Sequence, residues 1–254
     1  MARLSILGVE VDVLTIPELN AAVAEAVSRG ERWVIANHNM HSVYLFHHDA
    51  GMRRFYGRAR ITHIDGMALV HFSRMLGHPL RSDQRVTYVD WVRPLMHQAA
   101  QAGWRVFYLG GSPGVADRAA RVLRSELPGL ELTTRHGFFD LDGPENAAVL
   151  EAIRAQRPHV LMVGMGMPRQ ERWILENEEQ IEANAILCAG ACFDYVAGAV
   201  PTPPRFLGPV GMEWSYRLLV EPKRLWRRYL CEPWSLLPFI LRDLARRGGG
   251  PNGV

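Results

Sequence analysis

Residues 158–173 read Pro-His-Val-Leu-Met-Val-Gly-Met-Gly-Met-Pro-Arg-Gln-Glu-Arg-Trp and carry the strongest structural signal in the chain. Residues 160–163 are apolar and uncharged, which is typical of a strand buried on both faces of a parallel sheet. Gly164 and Gly166 follow, and glycine permits a tight turn and a close approach to a ligand. Pro168 is suited to the first position of a helix. The stretch therefore predicts a strand, a glycine turn and a helix.

The polar residues after this turn form a candidate site. Arg169, Gln170 and Glu171 fall in the first turn of the predicted helix. In open α/β sheets, ligands bind at the carboxyl ends of the strands, and the helix N-termini at that edge favour anions. We therefore expect a ligand site at this edge of the sheet.

The preceding chain repeats the same order of strand, turn and helix. Five further apolar runs alternate with segments of helical apolar spacing, and they cover residues 33–36, 60–64, 104–109, 132–138 and 185–189. This alternation indicates βαβ units in a doubly wound, mainly parallel sheet with helices on both faces. We predict that residues 1–200 form one α/β domain.

Residues 201–254 have a different character. Four prolines between positions 201 and 209 indicate a linker. From position 211 onward there are eight Lys and Arg against four Asp and Glu, in a chain with a formal charge of only +3. Mixed aromatic and basic residues at helical spacing are typical of an interfacial amphipathic helix. The alternative is a helical lid that packs on the body and exposes its arginines to solvent.

The basic tail suggests an anionic partner, namely a membrane surface or phosphate rather than nucleic acid. Its apolar surface is also suited to pairing two subunits. The N-terminus lacks the apolar core of a signal peptide, and no run of about 18 uncharged apolar residues predicts a transmembrane helix. We therefore expect a cytoplasmic protein that touches the inner face of the cell membrane.

Asp65 is the best candidate for a general base. It follows an apolar strand and precedes Gly66, and partial burial at that edge would raise its pKa toward the working pH. The alternative is an aspartate that only caps the next helix.

The turn at Gly110 and Gly111 departs from G-x-G-x-x-G, which argues against a nicotinamide-dependent oxidoreductase. Two interpretations of this turn remain open: a phosphate or nucleotide site, and a turn that binds no ligand.

Metal chemistry has little support in the sequence. Asp140-Leu141-Asp142 imitates a D-x-D metal motif, but it precedes Gly143-Pro144, where aspartates commonly form turns and caps. Cys188 and Cys192 lack a second pair of ligands at zinc spacing. We predict no metal and no cofactor.

Four motifs in order resemble the WecG/TagA/CpsF family of bacterial glycosyltransferases over nearly the whole chain. They lie at residues 65–66, 164–173, 193–198 and 213–224. The resemblance implies an inverting, metal-independent enzyme of the GT-E type, with a Rossmann-like body and a C-terminal appendage. It also implies transfer of a sugar, often N-acetylmannosamine, from a UDP-sugar to an undecaprenyl-diphosphate-linked acceptor in cell-envelope or exopolysaccharide biosynthesis.

The resemblance assigns roles to individual residues. It implies a catalytic set of Asp65 as base with Asn37 and Arg85, the arginine neutralising the diphosphate. The residues expected to bind substrate lie on the turns after the strands and in the tail, and are Asn39, Gly110, Gly111, Gly164, Gly166, Gln170, Glu171, Asp194, Arg217, Arg224 and Arg227. Without a metal, fixed guanidinium groups would have to stabilise the charge that develops on UDP.

The chain departs from the family pattern at Asn37, where the family usually has threonine. Asparagine still donates a hydrogen bond, so the departure suggests a changed sugar preference. A second hypothesis from another functional class is a non-catalytic nucleotide- or phosphosugar-binding module that docks on a membrane partner.

Overall fold

The computed structural model describes residues 2–248, which build one eight-stranded sheet with helices on both faces. The strands are β1 (Ala2–Ile6), β2 (Val9–Val13), β3 (Trp33–His38), β4 (Ile61–Ile64), β5 (Arg105–Gly110), β6 (Glu131–Arg135), β7 (Val160–Gly164) and β8 (Ala185–Cys188). Their spatial order is β1-β2-β4-β3-β8-β7-β5-β6. Among these described strands, only the β1–β2 hairpin is antiparallel, and every other pair is parallel.

In the described part of the α/β body, nine α-helices accompany the strands. They are α1 (Ile16–Arg29), α2 (Met40–His48), α3 (Ala50–Arg58), α4 (Met67–Met75), α5 (Tyr88–Ala102), α6 (Val115–Glu126), α7 (Pro144–Gln156), α8 (Arg169–Asn177) and α9 (Cys192–Val196). Apolar side chains of α1, α5, α6 and α9 pack on one face of the sheet, and those of α2, α3, α4, α7 and α8 pack on the other. The predicted α/β class with a mainly parallel sheet is confirmed.

Strand β7 shows why a continuous apolar run is needed in a central strand. Val160 and Met162 are buried in the core on one face, and Leu161 and Val163 are buried in the core on the other. Successive side chains of a strand point to opposite faces, so a strand covered on both sides has no position for a polar residue. The helix after the turn begins at Arg169, one residue later than the sequence predicts, with Pro168 at its N-cap.

The tail consists of short helices rather than one long amphipathic helix. They are α10 (Glu213–Val220), α11 (Pro222–Trp226), α12 (Glu232–Ser235) and α13 (Leu237–Gly248), with a turn of π-helix at Arg227–Cys231. Pro222 is the first residue of α11 and Pro233 the second residue of α12, and proline is confined to such helix starts because it cannot continue the hydrogen bonding of a helix interior.

The tail packs against the body near α2. Leu225 and Leu236 are buried, and His41 Nδ1 lies 2.6 Å from Glu232 Oε2. The ring of Phe239 stacks on His47 with centroids 3.6 Å apart. In the described residues, no helix has the length and apolar character needed to cross a membrane.

Candidate active site

Asp65 lies just beyond the carboxyl end of β4 and is held by two asparagine amides. Its Oδ2 accepts hydrogen bonds from Asn37 Nδ2 at 3.1 Å and from Asn39 Nδ2 at 3.2 Å. Asn37 is paired with His63 across β3 and β4, so the two strands end at the same level. The register of the parallel pair therefore brings Asp65 to two asparagines that lie 28 and 26 positions earlier in the chain.

The Asp65 carboxyl is half-buried, and its burial raises its pKa above the ordinary value. The hydrogen bonds from Asn39 and Asn37 act in the opposite direction, as do the positive charges of Arg85 and Arg217. Burial disfavours the charged form, whereas donors and cations favour it. Asp65 is therefore a more basic carboxylate than an exposed aspartate, which is what a general base needs.

The two asparagines are fixed by the surrounding structure. Asn39 is the N-cap of α2, and its Oδ1 accepts hydrogen bonds from the backbone N–H groups of His41 and Ser42. With its oxygen held by the helix, its NH₂ group is left to face Asp65. The hydroxyl of Tyr56 donates to the backbone oxygen of Asn37 at 2.7 Å. Asn37 Oδ1 is buried without a hydrogen-bond partner in the described residues.

Gln170 and Glu171 form a second polar pair, at the carboxyl ends of β7 and β8. Gln170 Oε1 accepts from the backbone N–H groups of Gly166 and Gly190, each at 3.2 Å, and so ties two loops together. Gln170 Nε2 donates to Glu171 Oε1 at 2.7 Å. Both side chains are 1 % exposed. Burial raises the pKa of Glu171 to about 7, and the charge of Arg228 works against that shift.

Glu171→Gln is expected to stabilise the protein at alkaline pH. The pKa of Glu171 is about 7 in the folded state, against an ordinary value of 4.5. The protonated group therefore contributes its full stabilisation below about pH 4.5, and this contribution is lost as pH rises through 7. The variant should therefore exceed the wild type by about 1–3 kcal/mol at pH 8 and by much less at pH 5. Urea denaturation at the two pH values measures the difference.

Glu176→Gln on the same helix is the control, since Glu176 is exposed and pairs with Arg172 at 2.8 Å. It should change stability by less than about 0.5 kcal/mol at either pH. An equal advantage of Glu171→Gln at pH 5 and pH 8 would contradict the assigned pKa.

The tail brings two arginines to this site. Arg228 Nη2 donates to Asn39 Oδ1 at 3.4 Å. Arg217 is close enough for its charge to lower the pKa of Asp65, and its Nε is buried without a partner in the described residues. Arg85, in the loop before α5, also acts on the pKa of Asp65. The charges of three guanidinium groups thus act on one carboxylate.

The other residues implied by the resemblance lie further out. Asp194, in α9, is half-buried, and burial raises its pKa while the charge of Arg224 lowers it. Arg224 is exposed and pairs with Glu221, Nε to Oε1 at 2.8 Å. Arg227 is exposed, and no ion pair to it occurs in the part of the chain that the structure describes. The structure therefore groups Asp65 with Asn37, Asn39, Arg85 and Arg217, and leaves Arg227 outside the group.

Arg228 is the residue that the sequence reasoning missed. It contacts Asn39 directly, whereas its neighbour Arg227 faces solvent. The sequence carried no local signal for it, because a helix break at Pro222 and a turn of π-helix at Arg227–Cys231 separate Arg228 from Arg217.

The glycines expected to bind the donor have a packing role of their own. Gly110 and Gly164 are paired across β5 and β7, and a Cβ atom on Gly110 would lie 2.4 Å from the Gly164 oxygen. Gly111 and Gly166 have φ of 67° and 77°, in the left-handed region that favours glycine. A Cβ on Gly166 would meet nothing within 4 Å. The close packing of the two strands therefore requires glycine at Gly110 and Gly164, whereas the space beside Gly166 is open to a ligand.

The described residues contain no set of side chains suited to binding a metal ion. Among residues 2–248, no group of three or more His, Cys, Asp or Glu side chains is placed to hold a metal ion. Asp140 Oδ1 accepts from the backbone N–H of Asp142 at 3.1 Å, so the D-x-D stretch is a turn, as the sequence predicts. The expectation of metal-free chemistry stays a prediction.

Comparison with known proteins identifies the family. The sequence profile described as "Glycosyl transferase WecG/TagA/CpsF family" matches residues 4–249. The chain belongs to this family. As a WecG/TagA/CpsF protein it is a glycosyltransferase, which confirms the prediction of an enzyme and disfavours the non-catalytic binding module.

Two curated WecG/TagA/CpsF relatives are similar over most of their length. Both are named N-acetylglucosaminyldiphosphoundecaprenol N-acetyl-beta-D-mannosaminyltransferase, one from Staphylococcus aureus strain NCTC 8325 / PS 47 and one from strain MRSA252. Each is 29% identical over 229 residues, which cover 89% of this chain and 88% of the relative. The similarity therefore extends through the α/β body and into the tail.

Proposed function

We propose that this protein transfers N-acetylmannosamine or a related hexose from a UDP-sugar to an undecaprenyl-diphosphate-linked sugar, with inversion and without a metal ion. One observation carries the proposal: a half-buried carboxylate, Asp65, is held by two amides and lies within the charge influence of arginines, two of which come from the tail. The names of the two relatives, which specify a mannosaminyl group and a diphosphoundecaprenol-linked acceptor, support the choice of sugar and acceptor.

The proposed reaction is a single displacement at the anomeric carbon. Asp65 takes the proton of the acceptor hydroxyl as its oxygen attacks that carbon. The bond from the carbon to the β-phosphate oxygen breaks, and UDP leaves with the electron pair. One displacement inverts the configuration. Asn37 and Asn39 keep the Asp65 carboxylate oriented.

The leaving diphosphate needs positive charge near the carbon that reacts. Arg217 and Arg228 provide it as fixed cations that require no reorganisation during the reaction, whereas Arg85 is paired with Glu213 and Asp90. The donor would lie across the turns at residues 110–114 and 164–170, with Gln170 holding the loops together and Asp194 near the nucleotide. Arg224 is placed further out, where the lipid diphosphate of the acceptor would approach.

A donor screen tests this function. The purified full-length protein is incubated with one synthetic short-chain acceptor that carries a lipid diphosphate and with a panel of UDP-sugars, with and without EDTA. We expect transfer from UDP-N-acetylmannosamine or a related UDP-hexose, unchanged by EDTA, with an inverted anomeric linkage by NMR. Transfer with retention, or complete loss of transfer in EDTA, would contradict the mechanism.

The outer surface of the tail supports a peripheral position on the cell membrane. Of the large apolar side chains that are exposed in the described residues, most lie between positions 206 and 241: Phe206, Val210, Met212, Trp214, Leu219, Val220, Trp226, Leu230, Trp234, Leu237 and Leu241. Exposed apolar surface next to basic side chains is what an interfacial segment presents to lipid. A lipid-linked acceptor would reach the site from that surface.

Replacing Leu219, Trp234 and Leu241 together by serine should weaken vesicle binding by roughly a hundredfold, because each side chain would lose about 1 kcal/mol of apolar burial in lipid. These side chains are 81%, 70% and 62% exposed, so the fold should survive. Sedimentation with vesicles of anionic phospholipid measures the effect.

Met75→Ser is the control, since Met75 is 57% exposed but lies on α4 of the body. Unchanged vesicle binding by the triple variant, with loss of a dimer in solution, would assign this face to pairing of subunits instead.

A further inference from the structure

A chain of alternating charges joins the tail to the body beside the site. Arg85 Nη1 donates to Glu213 Oε2 at 2.5 Å, and Arg85 Nη2 lies 3.7 Å from Asp90 Oδ2. The guanidinium of Arg205 in turn pairs with Asp90 Oδ1. The Arg85 side chain is only 10% exposed. The cluster contains two carboxylates and two guanidinium groups, so its formal charges sum to zero.

The cluster connects three separate segments. Asp90 is in the first turn of α5 and is oriented by the hydroxyl of Thr87, which donates to its Oδ2 at 2.8 Å. Glu213 is the first residue of α10, and Arg205 lies in the linker before that helix. The linker also passes directly across the Arg85–Glu213 pair, since a Cβ on Gly208 would lie 3.1 Å from Glu213 Oε1.

The same helix carries Arg217 to the site. Glu213 and Arg217 are four residues apart in α10, so they lie on one face of the helix, one turn from each other. Arg217 Nε has no hydrogen-bond partner in the described residues. The contact that holds the first turn of α10 on the body therefore lies one helical turn from Arg217.

We propose that Glu213 is a positioning residue, which through its ion pair with Arg85 docks α10 so that Arg217 faces Asp65. Asp90 supports it by holding Arg85 from the other side. A charge-assisted hydrogen bond in a partly buried cluster is stronger and more directional than a surface ion pair. The proposal rests on the proposed function in one respect only, namely that Arg217 has a catalytic effect.

Glu213→Gln tests the proposal with two readouts. Hydrogen–deuterium exchange of peptides covering residues 213–220 should become faster in the full-length variant, because glutamine keeps the shape but loses the charge. The value of kcat should fall by up to about a hundredfold, since a displacement of about 1 Å in a catalytic group has an effect of that size.

Two matched controls accompany the variant. Glu221→Gln removes the same charge from the other end of α10, but Glu221 pairs within the tail, with Arg224; exchange in the first turn of α10 should not change. Glu151→Gln removes an exposed carboxylate of α7 that pairs with Arg154, and its kcat should match that of the wild type.

A double-mutant cycle separates positioning from a direct effect on the reaction. If Glu213 acts through Arg217, Glu213→Gln should lower kcat no further in a protein that already carries Arg217→Ala. Multiplicative losses of kcat, or unchanged exchange in α10, would overturn the proposal. The exchange readout requires no substrate, so a failure of the proposed reaction would leave the docking role tested on its own.

Discussion

Asp65→Asn is expected to lower kcat by about a thousandfold while leaving the dissociation constant for UDP within about threefold of the wild type. Removing a positioned general base typically costs a factor of about 10²–10⁴ in rate. Asparagine has the same shape, and its Oδ1 can still accept from Asn37 and Asn39, which donate to Asp65 in the wild type. The packing around the position should therefore survive, and only the proton acceptor is lost.

Two measurements and one control define this outcome. Steady-state release of UDP in the presence of acceptor gives kcat, and isothermal titration calorimetry gives the affinity for UDP. Asp83→Asn is the control, because Asp83 is an exposed carboxylate paired with Arg81 on the body. Normal turnover by Asp65→Asn would reject Asp65 as the base, whereas loss of UDP affinity would instead indicate a collapsed site.

The pH profile provides a further check on the same group. A base must be deprotonated to act, so transfer by the wild type should decline as pH falls through the pKa of Asp65, which burial raises above its ordinary value of 3.8. The charges of Arg85 and Arg217 lower that pKa. Arg217→Ala should therefore move the acidic limb of the kcat profile to higher pH. An acidic limb unchanged by this substitution would argue that another group takes the proton.

The sheet and the polar ends of its strands could be predicted because both follow from local sequence. Apolar runs such as residues 160–163 end in glycine or polar residues, and parallel strands place those ends at one edge. On that basis Asp65 and Gln170 were expected at the ligand edge, and both lie there, at the ends of β4 and β7. The capping function of Asn39 is also local.

The strand order and the path of the tail depend on contacts between distant residues. Strand β8 lies between β3 and β7, which puts Gly190 within hydrogen-bonding distance of Gln170. The pair of Arg85 with Glu213 spans 128 positions. No local spacing specifies such a pair, because many carboxylates in the sequence would serve equally well. The breaks in the tail, including the turn of π-helix, decide which arginine reaches the site.

Arg228→Ala is expected to lower kcat with a short-chain acceptor by about 10²–10³-fold, the usual cost of removing a fixed group that stabilises charge in the transition state. Arg227→Ala should lower it by less than about tenfold, since surface charges are screened by solvent. The two variants delete the same side chain from adjacent positions. Arg228 contacts Asn39 beside Asp65, whereas Arg227 is exposed.

Arg228→Lys serves as a milder variant that keeps the charge but loses the planar fork of donors, and its kcat should lie between those of the wild type and Arg228→Ala. A readout that needs no substrate comes from Glu171, whose pKa is lowered by the charge of Arg228. In Arg228→Ala that pKa should rise from its wild-type value of about 7, as followed by NMR titration. Equal losses of kcat in Arg227→Ala and Arg228→Ala would show that the tail contributes only a diffuse positive charge. A loss confined to Arg228→Ala, together with the shift at Glu171, would place one particular guanidinium at the reacting diphosphate.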